Sequence, residues 1–386
     1  MRILLIIPAK SYTNLNFSIM SNNDFPVGFA YISSVLRNAG HKIYGLNLNN
    51  IYGYNSSFEM INDQIIKSIE ENQPELIGIG GLCIDYKFIK DAIFIIRKIN
   101  PDIPVVLGGG IVNNDAEFIL DSLRPDFGII GEAEEAIVKL ADKIENNDLN
   151  FSDISNIGFF QNGKLELTDK NYKYIDINAL PYPDYEPFNI SEMIENYSLN
   201  AFYLHRYPRK KPRIMTIVTA RSCPFSCTFC VHTHGSKYRA RSIDNIMSEI
   251  KYMYDKYQFN ILVMMDELFA VNKNRLNLFC TELIAQKEKF GWDFNWYFQT
   301  HSSAALTEKE LKLAKQSGCY LFSYGIESGS ETVLKSMNKK NKLSVISEAF
   351  DIASKVKIGF GGNFIFGDVA ETENTITETL DFVNKH

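Results

Sequence analysis

The strongest constraint on what this chain can fold into is a pattern that occurs twice along it. Short, almost wholly apolar runs alternate with amphipathic stretches of helical period. In the first part the runs are RILLIIP, KIYGLNL, LIGIGGL, PVVLGGG and FGIIGE. Such runs suit strands buried on both faces, which occur in parallel sheets covered by helices. Between the first two, VGFAYISSVLRNAG carries Phe29, Ile32 and Leu36 at helical spacing and stops at Gly40. KFIKDAIFIIRKI repeats that arrangement before Pro101. From Ile214 the alternation resumes with IMTIVTA, NILVMMD, FNWYFQT, CYLFSYGIE and IGFGGNFIFG as strands. A helix opening at Ser242 puts Ile243, Ile246, Met247, Ile250 and Tyr254 on one face. The fold class is therefore α/β. A doubly wound, Rossmann-like domain is expected over 1–150, and a partial TIM-like (β/α) barrel of five βα units over 213–386. Residues 151–212 lose the alternation: NGK at 162–164 predicts a hairpin turn, and ALPYPDYEPF carries three prolines. This stretch reads as a linker between domains.

Composition removes several function classes. The 386 residues are 45% hydrophobic with a net charge of −6, which gives no electrostatic case for a nucleic-acid partner. The basic run RYPRKKP around Lys210 reads as a solvated loop. The opening ILLII is too short for a signal core or a membrane span and is followed at once by Pro8 and Lys10. No membrane segment is expected, and the address is cytoplasmic, where thiols stay reduced. Of six cysteines three cluster, while Cys83, Cys280 and Cys319 scatter, so the set is not a disulfide framework.

The chemistry-bearing motif is RSCPFSCTFCVHTHG at 221–235, with Cys223, Cys227 and Cys230 within eight positions. Pro224 and the preceding strand argue for a loop wrapped around a metal rather than a helix. Two fillings are open. Zinc would take His232 or His234 as a fourth ligand. A cuboidal iron–sulfur cluster would take the three thiolates and keep one iron free for chemistry. Cys223, Asp266, Gln299, Glu327 and Gly367 all fall at the carboxyl ends of strands, where βα barrels place their active sites. In the first domain several strands end in glycine: Gly80–Gly81, Gly108–Gly109–Gly110, and Gly131 before Glu132. Ligands of open α/β sheets bind beyond those ends, and glycine lets a large one approach the backbone. No GxGxxG follows the first strand, so a dinucleotide is not expected.

C-P-F-S-C-T-F-C, following a strand and opening a βα barrel, resembles the radical S-adenosylmethionine (radical SAM) superfamily. The resemblance implies a [4Fe–4S] cluster on Cys223, Cys227 and Cys230. S-adenosylmethionine would chelate the open iron and be cleaved to a 5′-deoxyadenosyl radical. Phe229 matches a position whose neighbourhood contacts adenine. MMDELFA at 264–270 resembles the second-strand acidic element, which implies Asp266 and Glu267 near the methionine ammonium. SYGIESGSE at 323–331 resembles the fourth-strand G-x-E-x-G segment, with Glu327 and Ser328 toward ribose and carboxylate. Gln299 joins these cofactor-binding candidates from its strand end. GGNFIFGDVAET at 361–372 resembles the fifth-strand element along the adenine pocket, but its acidic position is displaced to Glu371, so no contact is assigned there.

The first half resembles the cobalamin-binding domain fused ahead of many such enzymes. FPVGFAYISSVLRNAGHKI, VVLGGGIVNNDAEFIL and FGIIGEAEEAIVKLAD carry the likeness. It implies cobalamin against Gly80, Gly81, Gly108, Gly109, Gly131 and Glu132. The D-x-H-x-x-G motif of lower-face cobalt ligation is absent. The family barrel also has a sixth strand and a further region that this sequence does not reach by residue 386. Together the likenesses imply a cobalamin-dependent radical methyltransferase acting on a small molecule, served by an electron donor such as flavodoxin or ferredoxin. Rearrangement, cyclisation or oxidation on the same architecture is the nearer alternative, and a non-catalytic zinc or iron–sulfur protein is one of another class. No catalytic residue is assigned, and Tyr203, His205 and Tyr238 read as surface residues near the barrel mouth.

Overall fold

The computed structural model describes residues 1–9, 25–49, 57–169, 174–195, 208–231 and 235–386. Two compact units divide the chain, 1–206 and 207–386. His205, Tyr203, His232 and His234 lie outside the described residues.

In the first unit the strands are β1 (Arg2–Ile7), β2 (Lys42–Asn47), β3 (Leu76–Gly80), β4 (Val105–Gly108), β5 (Phe127–Ile129), β6 (Ile157–Gln161) and β7 (Lys164–Leu167). They form one sheet in the order β2-β1-β3-β4-β5-β6-β7, parallel through β5 and antiparallel beyond it. Leu4 and Ile6 of β1 are fully buried against Ile61 and Ile65 of the helix Phe58–Asn72, and Phe88, Ile89 and Ile96 of the helix Tyr86–Ile99 complete that core. Each such side chain contributes about 1.5–3 kcal/mol on leaving water. The order 2-1-3-4-5 reverses direction between β1 and β3. Ligands of doubly wound sheets bind outside the carboxyl edge at such a switch point.

Part of the stretch read as a linker belongs to this unit. Asn162 and Gly163, at φ 52° and 76°, make the left-handed turn that NGK predicts, and they join β6 to β7. The flanking strands are short, and β7 is largely exposed, which hid them from an apolar-run reading. Further on, Asp184 accepts from the Ser33 hydroxyl at 2.6 Å and pairs with Arg37. Phe188 packs on Phe25 and fills the space that a Cβ on Gly45 would need. Prolines here shape a packed strap.

The second unit contains β8 (Ile214–Ile217), β9 (Ala220–Arg221), β10 (Arg239–Ala240), β11 (Ile261–Met264), β12 (Asn295–Thr300), β13 (Cys319–Glu327) and β14 (Gly359–Phe364). A five-stranded parallel sheet runs β14-β13-β12-β11-β8, a partial barrel, while β9 and β10 form a separate antiparallel pair. One sheet face is aromatic. Trp296, Phe298 and Phe322 stack in a row, Phe360 meets Phe322 edge to face, Phe279 of the helix Lys273–Phe290 meets Trp296, and Phe350 of the helix Leu343–Val356 meets Phe360. The other face carries the register row Gln299, Ser323 and Gly361, small except for the glutamine. Alternation along β12 thus separates a helix-covered face from an open one. The basic run is not a solvated loop throughout: Arg209 pairs with Asp293 at 2.9 Å, and Arg213 donates to the Tyr257 and Gln258 carbonyls. Among the described residues no helix is long and apolar enough to cross a membrane.

Two adjacent glycines of the first unit make a test of what their positions demand. Gly109 has φ 89° and ψ −170°, and a Cβ there would lie 2.9 Å from the Gly81 carbonyl oxygen. At Gly108 no described residue comes within 4 Å of the same point. Gly109→Ala is expected to cost about 1–3 kcal/mol in urea unfolding followed by circular dichroism. Gly108→Ala should stay within about 0.5 kcal/mol.

Candidate active site

The cysteine loop leaves β8 at the carboxyl edge of the second sheet, and three sets of contacts hold it. Its base is closed by β9 pairing with β10, Arg221 opposite Arg239. Its flank is tied to the segment after the helix Glu331–Ser336. The Thr228 N–H donates to the Met337 carbonyl at 3.0 Å, and Asn338 Nδ2 donates to the Ser226 carbonyl and hydroxyl at 2.8 and 3.0 Å. Its underside rests on the end of β12, where Phe225 stacks on His301 with ring centroids 4.1 Å apart. Cys223 and Cys227 are half-buried and Cys230 is exposed. Burial pushes all three thiols above their ordinary range. Glu267 pushes Cys223 and Cys230 further up, Glu327 does the same to Cys227, and Lys339 opposes each shift.

The structure therefore brings together the three cysteines, Glu267, Glu327 and Phe229, with Lys339 among them. Lys339 Nζ lies 3.0 Å from Glu327 Oε1, both nearly buried, and 6.0 Å from the centre of the Phe229 ring. Glu327 sits at φ 68°, beside a register shift in β13. A Cβ on Gly325 would fall 2.4 Å from the Glu327 carboxylate and 3.2 Å from Lys339 Nζ. The glycine two residues before the acid thus makes room for its ion pair. Gln299 is half-buried on the open row of the sheet.

Two predicted contacts are corrected. Asp266 is buried and turned to the backbone, with Oδ1 accepting from the Thr219 and Ala220 N–H groups at 2.5 and 3.0 Å and Oδ2 from the Thr219 hydroxyl. With both oxygens taken, it fixes the exit of β8 rather than facing a ligand. Arg275 completes the lock from the other side, donating to the Thr219 carbonyl and hydroxyl at 3.0 Å. Burial raises the Asp266 pKa to about 6 against these hydrogen bonds. Ser328 is buried as well: its hydroxyl lies 3.1 Å from that of Thr379 and accepts from the Ser330 N–H. With Gly329, on which the helix Glu373–Lys385 packs directly, it anchors that helix. Glu371, to which no contact was assigned, accepts from the Gly367 N–H at 2.6 Å. Tyr238 is half-buried, its hydroxyl 3.4 Å from the Phe269 carbonyl, and burial pushes its pKa up to about 12.

Sequence reasoning missed Lys339, Asn338 and His301. His301 Nδ1 accepts from the Ser303 N–H at 3.1 Å, which leaves the proton on Nε2, a buried donor with no partner among the described residues. Burial and Lys339 lower its pKa to about 4, so the ring is neutral. An orphan donor beside a loop of three thiols suits a bound acceptor.

In the first unit the glycine-ended strands β3 and β4 meet backbone to backbone. The Gly81 N–H donates to the Gly108 carbonyl at 3.3 Å, and the Ile111 N–H donates to the Gly81 carbonyl at 3.0 Å. Asn113 accepts from the Gly131 N–H at 2.6 Å, and Glu132 follows, half-buried. Among the described residues no atom lies within 4 Å of where a Cβ would stand on Gly108 or Gly131. Leu82 and Ile84, in the adjoining turn, are 61% and 78% exposed. A bare backbone edge next to an uncovered apolar turn fits a large, flat, partly apolar ligand.

A B12-binding domain model matches residues 22–141, and a radical SAM superfamily model matches 217–383. The chain is a fusion of a B12-binding domain with a radical SAM domain behind it. An uncharacterized methyltransferase of Pyrococcus horikoshii is 23% identical over 390 residues, covering 100% of this chain and 78% of its own length. The anaerobic magnesium-protoporphyrin IX monomethyl ester cyclase of Cereibacter sphaeroides is 23% identical over 364 residues, covering 92% of this chain and 55% of its own. Two structures of the radical SAM methyltransferase TsrM from Kitasatospora setae share the fold. One has tryptophan and a SAM analogue bound, the other cobalamin and a [4Fe–4S] cluster. Both reach a TM-score of 0.75 at 15% and 14% identity, covering 100% of this chain and 71% and 70% of theirs.

Two measurements probe this radical SAM enzyme's site. Asn338→Ala removes both ties to Ser226, and each such hydrogen bond is worth about 0.5–1.5 kcal/mol. After reconstitution and desalting, the variant is expected to retain less iron per chain than wild type. Asp266 binds its proton more tightly folded than unfolded, so its contribution is greatest below about pH 4 and is lost as pH rises through about 6. The urea midpoint of wild type, relative to Asp266→Asn, should therefore fall between pH 4 and pH 6.

Proposed function

We propose that this enzyme methylates an unactivated carbon of a small molecule, with Cys223, Cys227 and Cys230 holding a [4Fe–4S] cluster and the β3–β5 edge holding cobalamin. One observation carries the reading: the three thiols sit on a single loop at the carboxyl edge of the sheet, bordered by Glu267, Lys339 and the His301 donor. When bound, the cluster, SAM and cobalamin supply one-electron cleavage of SAM, hydrogen abstraction and a transferable methyl group. Glu267 offers a carboxylate where a ligand ammonium would gain a charge-assisted hydrogen bond. His301 Nε2–H offers a donor, and the Phe229 ring, 40% exposed, offers a face for a nucleobase. Gln299, above the small residues Ser323 and Gly361, borders the open side of the sheet where a substrate would lie. Gly80, Gly81, Gly108, Gly109, Gly131 and Glu132 would line the cobalamin site. An acidic carrier such as flavodoxin or ferredoxin is proposed as the electron source, and the reducing cytoplasm as the setting for the chain's free thiols.

The cyclase relative supports a second reading, bond formation on the same cofactors without methyl transfer. An anaerobic assay separates the two. Protein reconstituted with iron, sulfide and hydroxocobalamin is reduced and given SAM, and nucleoside products are read by mass spectrometry. Methyl transfer is expected to yield both 5′-deoxyadenosine and S-adenosylhomocysteine, each lost with Cys227→Ala. Deoxyadenosine alone would favour the second reading. Neither product, with zinc in place of iron, would overturn both.

A further inference from the structure

A hollow of about 720 Å³ opens on the second unit between the helices Glu331–Ser336 and Leu343–Val356. Its walls carry Lys335, Lys339, Lys340 and Lys342 against a single glutamate, Glu331. Lys339 is committed to Glu327, but Lys335, Lys340 and Lys342 are exposed, and among the described residues none of them is ion-paired. A concentration of unneutralised lysines is unexpected on a chain whose net charge is −6. Its place is equally specific. Asn338 and Lys339, both in the wall, are the residues that grip Ser226 and approach Phe229 on the cysteine loop.

We propose that this lysine-lined hollow is the docking surface for an acidic one-electron carrier protein that reduces the cluster. The proposal rests on reading the three cysteines as cluster ligands. One electron leaves the carrier's low-potential centre and enters the cluster, so the carrier is oxidised and the cluster reduced by one. No bond is made or broken between the proteins. Electron transfer weakens steeply with distance, and two residues of the hollow's wall, Asn338 and Lys339, reach the loop that must receive the electron. Complementary charge raises the rate of encounter by about 10- to 1,000-fold and does so mainly at low salt. A nucleic acid is the less suitable polyanion, because no aromatic side chain lines the hollow for base stacking.

The test is the triple variant Lys335→Glu, Lys340→Glu, Lys342→Glu in the reconstituted full chain, which leaves Lys339 and the cysteines in place. Cluster reduction is followed by visible bleaching and by electron paramagnetic resonance. The reductants are flavodoxin hydroquinone or reduced ferredoxin in one series and dithionite in another. The variant is expected to be reduced about tenfold or more slowly by the carriers at low ionic strength, the gap closing as salt is added. Dithionite should reduce both forms equally. Equal carrier rates in both forms, or no reduction of wild type by either carrier, would overturn the docking surface while leaving the cluster intact. A variant that loses SAM affinity but keeps its carrier rate would make the hollow a small-anion site instead. Absence of iron and cluster absorbance in wild type would overturn the cluster reading, and this proposal with it.

Discussion

The second unit's chemistry depends on a buried carboxylate. Asp266 grips the backbone of Thr219 and Ala220 where the chain leaves β8, and Arg275 holds the same threonine from the opposite side. Loops at strand ends are free to drift unless their backbone groups are satisfied, and here two N–H groups and a hydroxyl converge on one acid. Everything downstream inherits that origin: Ala220 and Arg221 form β9, β9 pairs with β10, and the pair closes the base of the cysteine loop. Arg275 also donates to the Arg241 carbonyl, and Arg241 is buried in an ion pair with Glu249, so the lock reaches the helix Ile243–Tyr257. A cofactor held by three thiols needs those thiols at fixed separations. The carboxylate supplies the fixed end from which the loop is measured.

Glycine does the matching work in shape. Gly325 leaves the volume that the Glu327–Lys339 pair occupies, and Gly329 lets the helix Glu373–Lys385 approach within van der Waals contact. Gly81 and Gly109 allow two strand ends of the first unit to touch through their backbones. Among the described residues Gly108 and Gly131 have no such neighbours; Gly131, at φ 82°, is called for by its backbone conformation, and Gly108 by neither.

Much of this was legible in the sequence, and for one reason. Strands buried on both faces must be apolar throughout, so β1, β3, β4 and β11 announce themselves in a single row of letters. The pair β9–β10, two residues each, carries no such pattern, and β7 is too exposed to show one. At the site the cysteines were legible because their spacing is local. Lys339, Asn338 and His301 reach the loop across long separations, 112 residues between Asn338 and Ser226, and no local pattern encodes that. Asp266 and Ser328 show the opposite error. Each stands at a strand end as an active-site residue should, yet a nearer partner, Thr219 or Thr379, has taken the side chain.

The electrostatics of the loop argue for what completes it. Burial raises the three thiols, Glu267 and Glu327 raise them further, and the cation that opposes them, Lys339, is already engaged by Glu327. Left alone, the thiols keep their protons. Only a strongly positive guest can take the place of those protons, because binding to thiolate requires that they leave. A second carboxylate near such a guest adds attraction once the guest is present and repulsion when it is not. The loop therefore favours a guest that carries net positive charge.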